Sequence, residues 1–294
     1  MTLTATVERR LRAAGLDPED TERVVRTALG EDGLDVTSAA IAAPGARAVA
    51  AVVAREPGVL AGLPVALAVL DAAGAGAGLG SEPLCADGDR IEAGTEVLRI
   101  RAPLRELLGA ERTLLNFLTH LSGIATATRA WADALSGTGC AVRDTRKTTP
   151  GLRRLEKYAV RCGGGLNHRM GLGDAALIKD NHVAAAGGVA AAIAAVREAA
   201  AGLPLEVECD DLTQVREALD AGARLLLLDN MGLADLRAAV AVARRYPSVR
   251  LEASGGLRLA QARAVAETGV DFVAVGALTH SAPALDLGLD LLAC

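Results

Sequence analysis

A chain of 294 residues with a formal net charge of -5, just over half of it apolar and very little of it aromatic, suits two domains or one barrel with an added lobe. The acidic balance and the shortage of aromatic stacking platforms exclude a general nucleic-acid binder. Five cysteines without a Cys-x-x-Cys pair exclude a disulfide framework or a zinc site, and they suit a reduced, cytoplasmic protein.

The first ten residues lack the apolar core of a signal peptide. Asp71 and Arg197-Glu198 interrupt the longest apolar runs before they could span a bilayer. Asp17 caps a helix with Pro18 at its first position, predicted over residues 19–29 and ending at Gly30. Small apolar residues over 47–54 form a strand, and residues 87–101 read as turns and alternating strands. Residues 72–80 are an Ala/Gly-rich connector at the end of a helix that begins near Pro64. Together these elements make an N-terminal α+β lobe. From 103 to about 135 the spacing of Leu107, Leu108, Leu114, Leu115, Leu118, Leu121 and Ile124 is helical. Glu111-Arg112 is a charged pair that a plain core helix does not need.

Beyond residue 140, apolar runs recur at 141–145, 175–180, 204–209, 224–230, 249–255 and 271–277, separated by Ala-rich amphipathic segments. Strands alternating with helices predict a parallel sheet with right-handed crossovers. The strand ends carry Arg146-Lys147, Lys179, Glu208, Asp229, Ser254-Gly255-Gly256 and Gly276. Polar and glycine residues at successive strand ends fit the catalytic face of an incomplete (β/α) barrel. Ser254-Gly255-Gly256, with a helix expected to open at about Leu257, fits a phosphate cradle, and Gly276 allows a close backbone approach beside it.

The stretch from Asp144 to His182 concentrates Arg146, Lys147, Arg153, Arg154, Lys157, Arg161, His168, Arg169 and Lys179. Arg153, Arg154 and Arg161 read as a solvated helix face. Arg146, His168, Arg169 and Lys179 suit one or more carboxylates, whereas Glu208 and Asp229 suit sugar hydroxyls or a magnesium ion. Cations, carboxylates and a phosphate cradle together suggest a phosphorylated sugar meeting an acid. Asp210-Asp211 reads as the start of the next helix, and His120, His182 and His280 read as structural. Two other classes remain: a Schiff-base aldolase using Lys147 or Lys179, and a metabolite sensor that needs no catalysis.

Several blocks stand in a fixed order: Thr145-Arg-Lys-Thr-Thr-Pro-Gly, Lys157-Tyr-Ala-Val, Gly163-Gly-Gly-Leu-Asn-His-Arg, Leu177-Ile-Lys-Asp-Asn-His, Glu206-Val-Glu, Leu228-Asp-Asn-Met, Glu252-Ala-Ser-Gly-Gly and Val275-Gly276. With Glu111-Arg-Thr-Leu-Leu-Asn-Phe-Leu on the long helix, they resemble the signature blocks of quinolinate phosphoribosyltransferases over nearly the whole chain. The resemblance implies an α/β sandwich lobe over residues 1–113, completed by a C-terminal helix at 281–294, and an incomplete barrel over 114–280. It implies transfer of phosphoribosyl from 5-phosphoribosyl 1-diphosphate to quinolinate, with decarboxylation, in NAD biosynthesis. Magnesium and a homodimer with shared active sites are implied as well.

By motif, Arg146, His168, Arg169 and Lys179 would hold quinolinate, with Arg112 supplied by the partner subunit. Lys147 would lie between quinolinate and the diphosphate, and Glu208 and Asp229 would engage the ribose and metal. Ser254, Gly255, Gly256 and Gly276 would bind the 5-phosphate. Within the same fold, a molybdenum-associated relative or a nicotinate-specific enzyme would take a different acid. The compact Glu31-Asp-Gly-Leu-Asp-Val-Thr segment departs from the longer acidic loop that the family often carries.

Overall fold

The computed structural model describes residues 3–75 and 80–293. It divides into two compact units, one of residues 1–129, 148–164 and 279–294, the other of 130–147 and 165–278. The expected 72–80 connector lies partly outside the described residues.

In the first unit, strands β1 (Arg47–Ala54), β3 (Ser81–Pro83), β5 (Glu96–Pro103) and β12 (Leu287–Ala293) form one sheet in the order β12-β1-β5-β3. Strands β2 (Gly58–Val59) and β4 (Arg90–Ile91) make a small antiparallel pair. Strand β1 is nearly all Ala and Val, and it is paired antiparallel on both edges. Five of its eight residues are buried and two more are half-buried, which explains its nearly unbroken apolar sequence. Around these lie helices α1 (Ala5–Ala13), α2 (Pro18–Asp32), α3 (Val36–Ile41), α4 (Leu63–Ala72) and α5 (Leu104–Leu135), with α6 (Arg153–Cys162) from the later segment.

Two expectations change here. Helix α2 runs through Gly30 to Asp32 and stops at Gly33, whose φ of +66° suits a residue without a Cβ. Gly30 only weakens the helix locally, because its neighbours keep the helical hydrogen bonds. The C-terminal segment is not a helix: it is strand β12, paired with β1 from Val49 to Ala54. The Leu-Gly-Leu-Asp alternation satisfies a strand, and the open edge of β1 decides the outcome.

The second unit holds the predicted parallel sheet. Strands β6 (Ala141–Arg143), β7 (Ala176–Ile178), β8 (Leu205–Cys209), β9 (Leu225–Asp229), β10 (Arg250–Ser254) and β11 (Phe272–Ala274) lie in the order β6-β11-β10-β9-β8-β7. All neighbours run parallel. Among the described residues β6 and β7 stand at opposite ends of that order without pairing, which leaves the barrel incomplete. The sheet alternates with α7 (Asp180–Ala186), α8 (Val189–Ala199), α9 (Leu212–Asp220), α10 (Leu233–Ala243) and α11 (Ala262–Ala266), and α12 (Ala277–His280) follows β11. Asp211 caps α9 by accepting from Thr213 N and Gln214 N, as its place after β8 predicts. No helix among the described residues is long and apolar enough to cross a membrane.

Candidate active site

The polar ends of the parallel strands converge on a cleft of about 360 Å³ in the second unit. It is lined by Thr145, Arg146, Lys147, His168, Arg169, Leu177, Lys179, Glu208, Leu227, Asp229, Glu252, Ser254 and Ala274. Thus the cations and carboxylates expected at separate strand ends share one space. Gly255 and Gly256 continue directly from Ser254, and Gly276 directly precedes α12. Arg112 belongs to the first unit, where it is exposed on α5.

One wall of the cleft is cationic. Arg169 donates from Nη1 to the carbonyl of Ala175 at 3.0 Å, while its Nε is buried without a hydrogen-bond partner. Its pKa is lowered, first by burial and then by the charge of Arg146. Two guanidinium groups held near each other and partly dehydrated favour an anion. Lys147 is exposed, and its backbone N–H donates to Thr145 Oγ1 at 3.0 Å. Lys179 pairs through Nζ with Glu208 Oε2. This cation and this carboxylate meet because β7 and β8 are sheet neighbours, which brings their end residues together.

The opposite side is built around a tight backbone crossing. Asn230 adopts a φ of +53°, its N–H donates to the carbonyl of Ser254 at 3.0 Å, and its side chain donates to Asp229 Oδ2 at 2.6 Å. Gly255 has a φ of +98°, and a Cβ there would stand 2.2 Å from Asn230 Oδ1. Only glycine fits that crossing. Gly256 also has a positive φ, but open space surrounds it. The expected helix at Leu257 is displaced: a 3₁₀ turn occupies Leu259–Gln261 and α11 starts at Ala262. The two positive-φ glycines turn the chain away before helical geometry can begin, so a glycine turn rather than a helix N-terminus stands at this strand end.

Deepest in the cleft and beneath it lies a charged layer around His168, whose carboxylates Asp144, Glu206 and Glu252 the sequence reading did not assign. Asp144, fully buried, accepts from His168 N at 2.9 Å and from Asn167 Nδ2 at 2.5 Å. His168 Nε2 stands 2.7 Å from Glu206 Oε2 and 3.6 Å from Glu252 Oε1. Glu252 is also held by Arg143 Nη1, and that guanidinium lies over the Phe272 ring at 4.8 Å. Burial, then the negative charge of Glu206, pushes the Glu252 carboxyl up to about 7, against the pull of Arg143.

His168, Glu206 and Glu252 offer ligand atoms within 4.8 Å of one another, but the Arg143 guanidinium already supplies positive charge to this group. The signal that could have found the layer is period two. Glu206 precedes Glu208 by two residues, and Glu252 precedes Ser254 by two, so each pair shares a strand face.

The remaining histidines play local roles: His120 Nε2 lies 2.9 Å from buried Glu156, and His182 Nδ1 accepts from Lys179 N at 3.0 Å. Helix α6 exposes Arg154 and Arg161 but buries Lys157 completely. Cys85, Cys140, Cys162 and Cys209 are free thiols, and Cys294 lies outside the described residues. A larger cavity of about 510 Å³ in the first unit, lined by α2, part of α5 and residues 149–152, has no comparable concentration of cations.

Comparison with known proteins finds matches over most of the chain. The family model described as quinolinate phosphoribosyl transferase, C-terminal domain, matches residues 124–290, and the corresponding N-terminal domain matches 35–122. A nicotinate-nucleotide pyrophosphorylase [carboxylating] from Mycobacterium leprae is 54% identical over 273 residues, covering 91% of this chain and 95% of that protein. The human protein of the same name is 39% identical over 282 residues, covering 95% and 94%. The solved structure of nicotinate-nucleotide pyrophosphorylase from Francisella tularensis superposes with a TM-score of 0.87 at 38% identity, covering 93% of this chain and 96% of that one.

Proposed function

This chain belongs to the quinolinate phosphoribosyltransferase family, and from that premise we propose how its cleft joins quinolinate to 5-phosphoribosyl 1-diphosphate. The products are nicotinate mononucleotide, diphosphate and carbon dioxide, in NAD biosynthesis. The observation that carries the assignment of roles is the meeting of Arg146, Arg169 and Lys179 with Glu208, Asp229 and the Ser254 turn in one cleft.

Arg146, Arg169 and Lys179 hold the two carboxylates of quinolinate, and His168 lines the same wall. A hydrogen bond to a charged group contributes about 1.5–3 kcal/mol, enough for this set to hold a small dianion despite desolvation. The partner's Arg112 adds a further cation in a homodimer whose two sites are shared. Ser254, Gly255, Gly256 and Gly276 cradle the 5-phosphate, because their backbone can approach an anion where side chains would intrude.

Glu208 and Asp229 face the ribose. Ribosyl transfer develops positive charge at the anomeric carbon, and these carboxylates stabilise it as the carbon–oxygen bond to diphosphate breaks. Their oxygen donors, in a cleft that also admits a diphosphate, fit a hard divalent ion such as magnesium. When bound, magnesium would supply charge neutralisation of the diphosphate. Lys147, exposed at the rim, neutralises the leaving group from the other side. Attack by the ring nitrogen leaves a pyridinium. Loss of the adjacent carboxylate then places an electron pair beside positive nitrogen, which a proton quenches, so orientation by the arginines is the main requirement.

The test supplies pure protein with magnesium, 5-phosphoribosyl 1-diphosphate and either quinolinate or nicotinate. Equal release of carbon dioxide, diphosphate and mononucleotide from quinolinate alone is expected. Turnover of nicotinate without carbon dioxide would overturn the acceptor assignment.

A further inference from the structure

The His168 ring has both nitrogens engaged inside the protein. Nδ1 lies 2.7 Å from the backbone nitrogen of Arg169, and a backbone N–H can only donate. Nδ1 therefore carries a lone pair. The ring is then neutral with its proton on Nε2, which points at Glu206 Oε2, 2.7 Å away. Glu206 is 3% exposed in the interior of β8, whose remaining residues apart from the cleft's Glu208 are apolar. Its second oxygen, Oε1, is buried without a hydrogen-bond partner. A buried carboxylate in that state is costly compared with a leucine, so folding alone does not explain it.

We propose that Glu206 is a positioning residue for the acceptor substrate: it accepts a hydrogen bond from the Nε2–H of His168, leaving Nδ1 to fix the backbone at Arg169. The consequence falls on Arg169 because that residue lies outside any helix or strand. Its neighbours are tied by the buried Asp144, through His168 N and Asn167 Nδ2. The chain of contacts runs from Glu206 through the imidazole to the Arg169 backbone, and ends at the guanidinium in the cleft wall. If His168 carried its proton on Nδ1 instead, the Arg169 N–H would face another N–H and the segment would shift. The role rests on the reading that Arg169 holds a carboxylate of quinolinate.

Two measurements test it. In protein labelled with ¹⁵N-histidine, with His168→Gln used to assign the resonance, His168 should show a bare Nδ1 and a protonated Nε2. A proton on Nδ1, alone or together with one on Nε2, would overturn the proposal, and this readout needs no turnover. In steady-state kinetics, Glu206→Met removes the acceptor and Glu206→Gln restores one through its amide oxygen. Glu206→Met should raise KM for quinolinate about tenfold while KM for 5-phosphoribosyl 1-diphosphate stays within about twofold, and Glu206→Gln should recover most of the difference. An unchanged KM for quinolinate, or equal loss for both substrates, would refute the positioning role. If Glu206→Met does not fold, the ring tautomer in the unaltered protein still decides. Failure of the unaltered protein to turn over quinolinate would instead defeat the functional reading while leaving the tautomer result intact.

Discussion

Lys179 and Glu208, on the adjacent parallel strands β7 and β8, form an ion pair inside the cleft. Each is assigned to a different substrate, so in the free protein each neutralises the other. Lys179 keeps 44% of its side-chain surface exposed and Glu208 only 13%, which makes the lysine the partner that can swing towards a ligand. Lys179→Met should therefore raise KM for quinolinate by about tenfold or more. Glu208→Gln should chiefly lower kcat, by roughly 10²–10³. Steady-state kinetics with each substrate varied in turn separates the two.

Gly255 and Gly256 are neighbours with different constraints. An added Cβ at Gly255 meets Asn230 within van der Waals distance and also strains a φ of +98°, whereas at Gly256 only the φ of +56° resists it. Gly255→Ala should weaken 5-phosphoribosyl 1-diphosphate by about tenfold and disturb the Asn230–Ser254 bond. Gly256→Ala should cost only about 1 kcal/mol of local strain. KM for that substrate, measured alongside urea unfolding, distinguishes loop distortion from general destabilisation.

Glu252 gives stability a pH dependence of known sign. Its ordinary value is 4.5, and burial together with Glu206 raises it to about 7 in the folded protein. Between those values the native state holds more protons than the unfolded chain, so this contribution to stability falls as pH rises. It is complete below about 4.5 and gone above about 7. The difference in urea midpoint between the unaltered protein and Glu252→Gln should therefore change steadily across that window, with the glutamine variant gaining relative stability as pH increases. A difference that stays flat would remove the raised carboxyl from the account.

Arg112 and Lys147 offer a test of shared sites. If the partner's Arg112 completes the site that holds Lys147, then Arg112→Ala and Lys147→Ala homodimers are each inactive, and mixed dimers regain one intact site. Partial recovery of activity after verified subunit exchange is expected; none would count against sharing.

Much of the second unit was legible because its strands are buried on both faces and read as unbroken apolar runs, with the functional groups marking their ends. Residues 225–228 are all leucine and Asp229 ends the strand, so both the element and its site residue stand out. The charged layer beneath was harder to see. Glu206 and Glu252 sit inside strands, where a carboxylate looks like an exception until the fold brings His168 and Arg143 to it from other elements. Strand β12 stays hidden in the sequence because seven residues with mixed spacing carry no decisive period, and its partner β1 lies far back in the chain. The Leu257 helix start failed for a local reason, the two left-handed glycines that precede it.

The pairing of β12 with β1 also bears on how the molecule is made. On a ribosome β1 emerges early and would have to wait while more than two hundred further residues are synthesised before the neighbour on that edge exists. During that interval an apolar edge strand is open to the wrong partner. Nascent-chain aggregation should thus concentrate on the early unit, while the parallel sheet, whose strands all come from 141–274, does not wait for β12. Removing the final strand would turn a brief exposure into a permanent one.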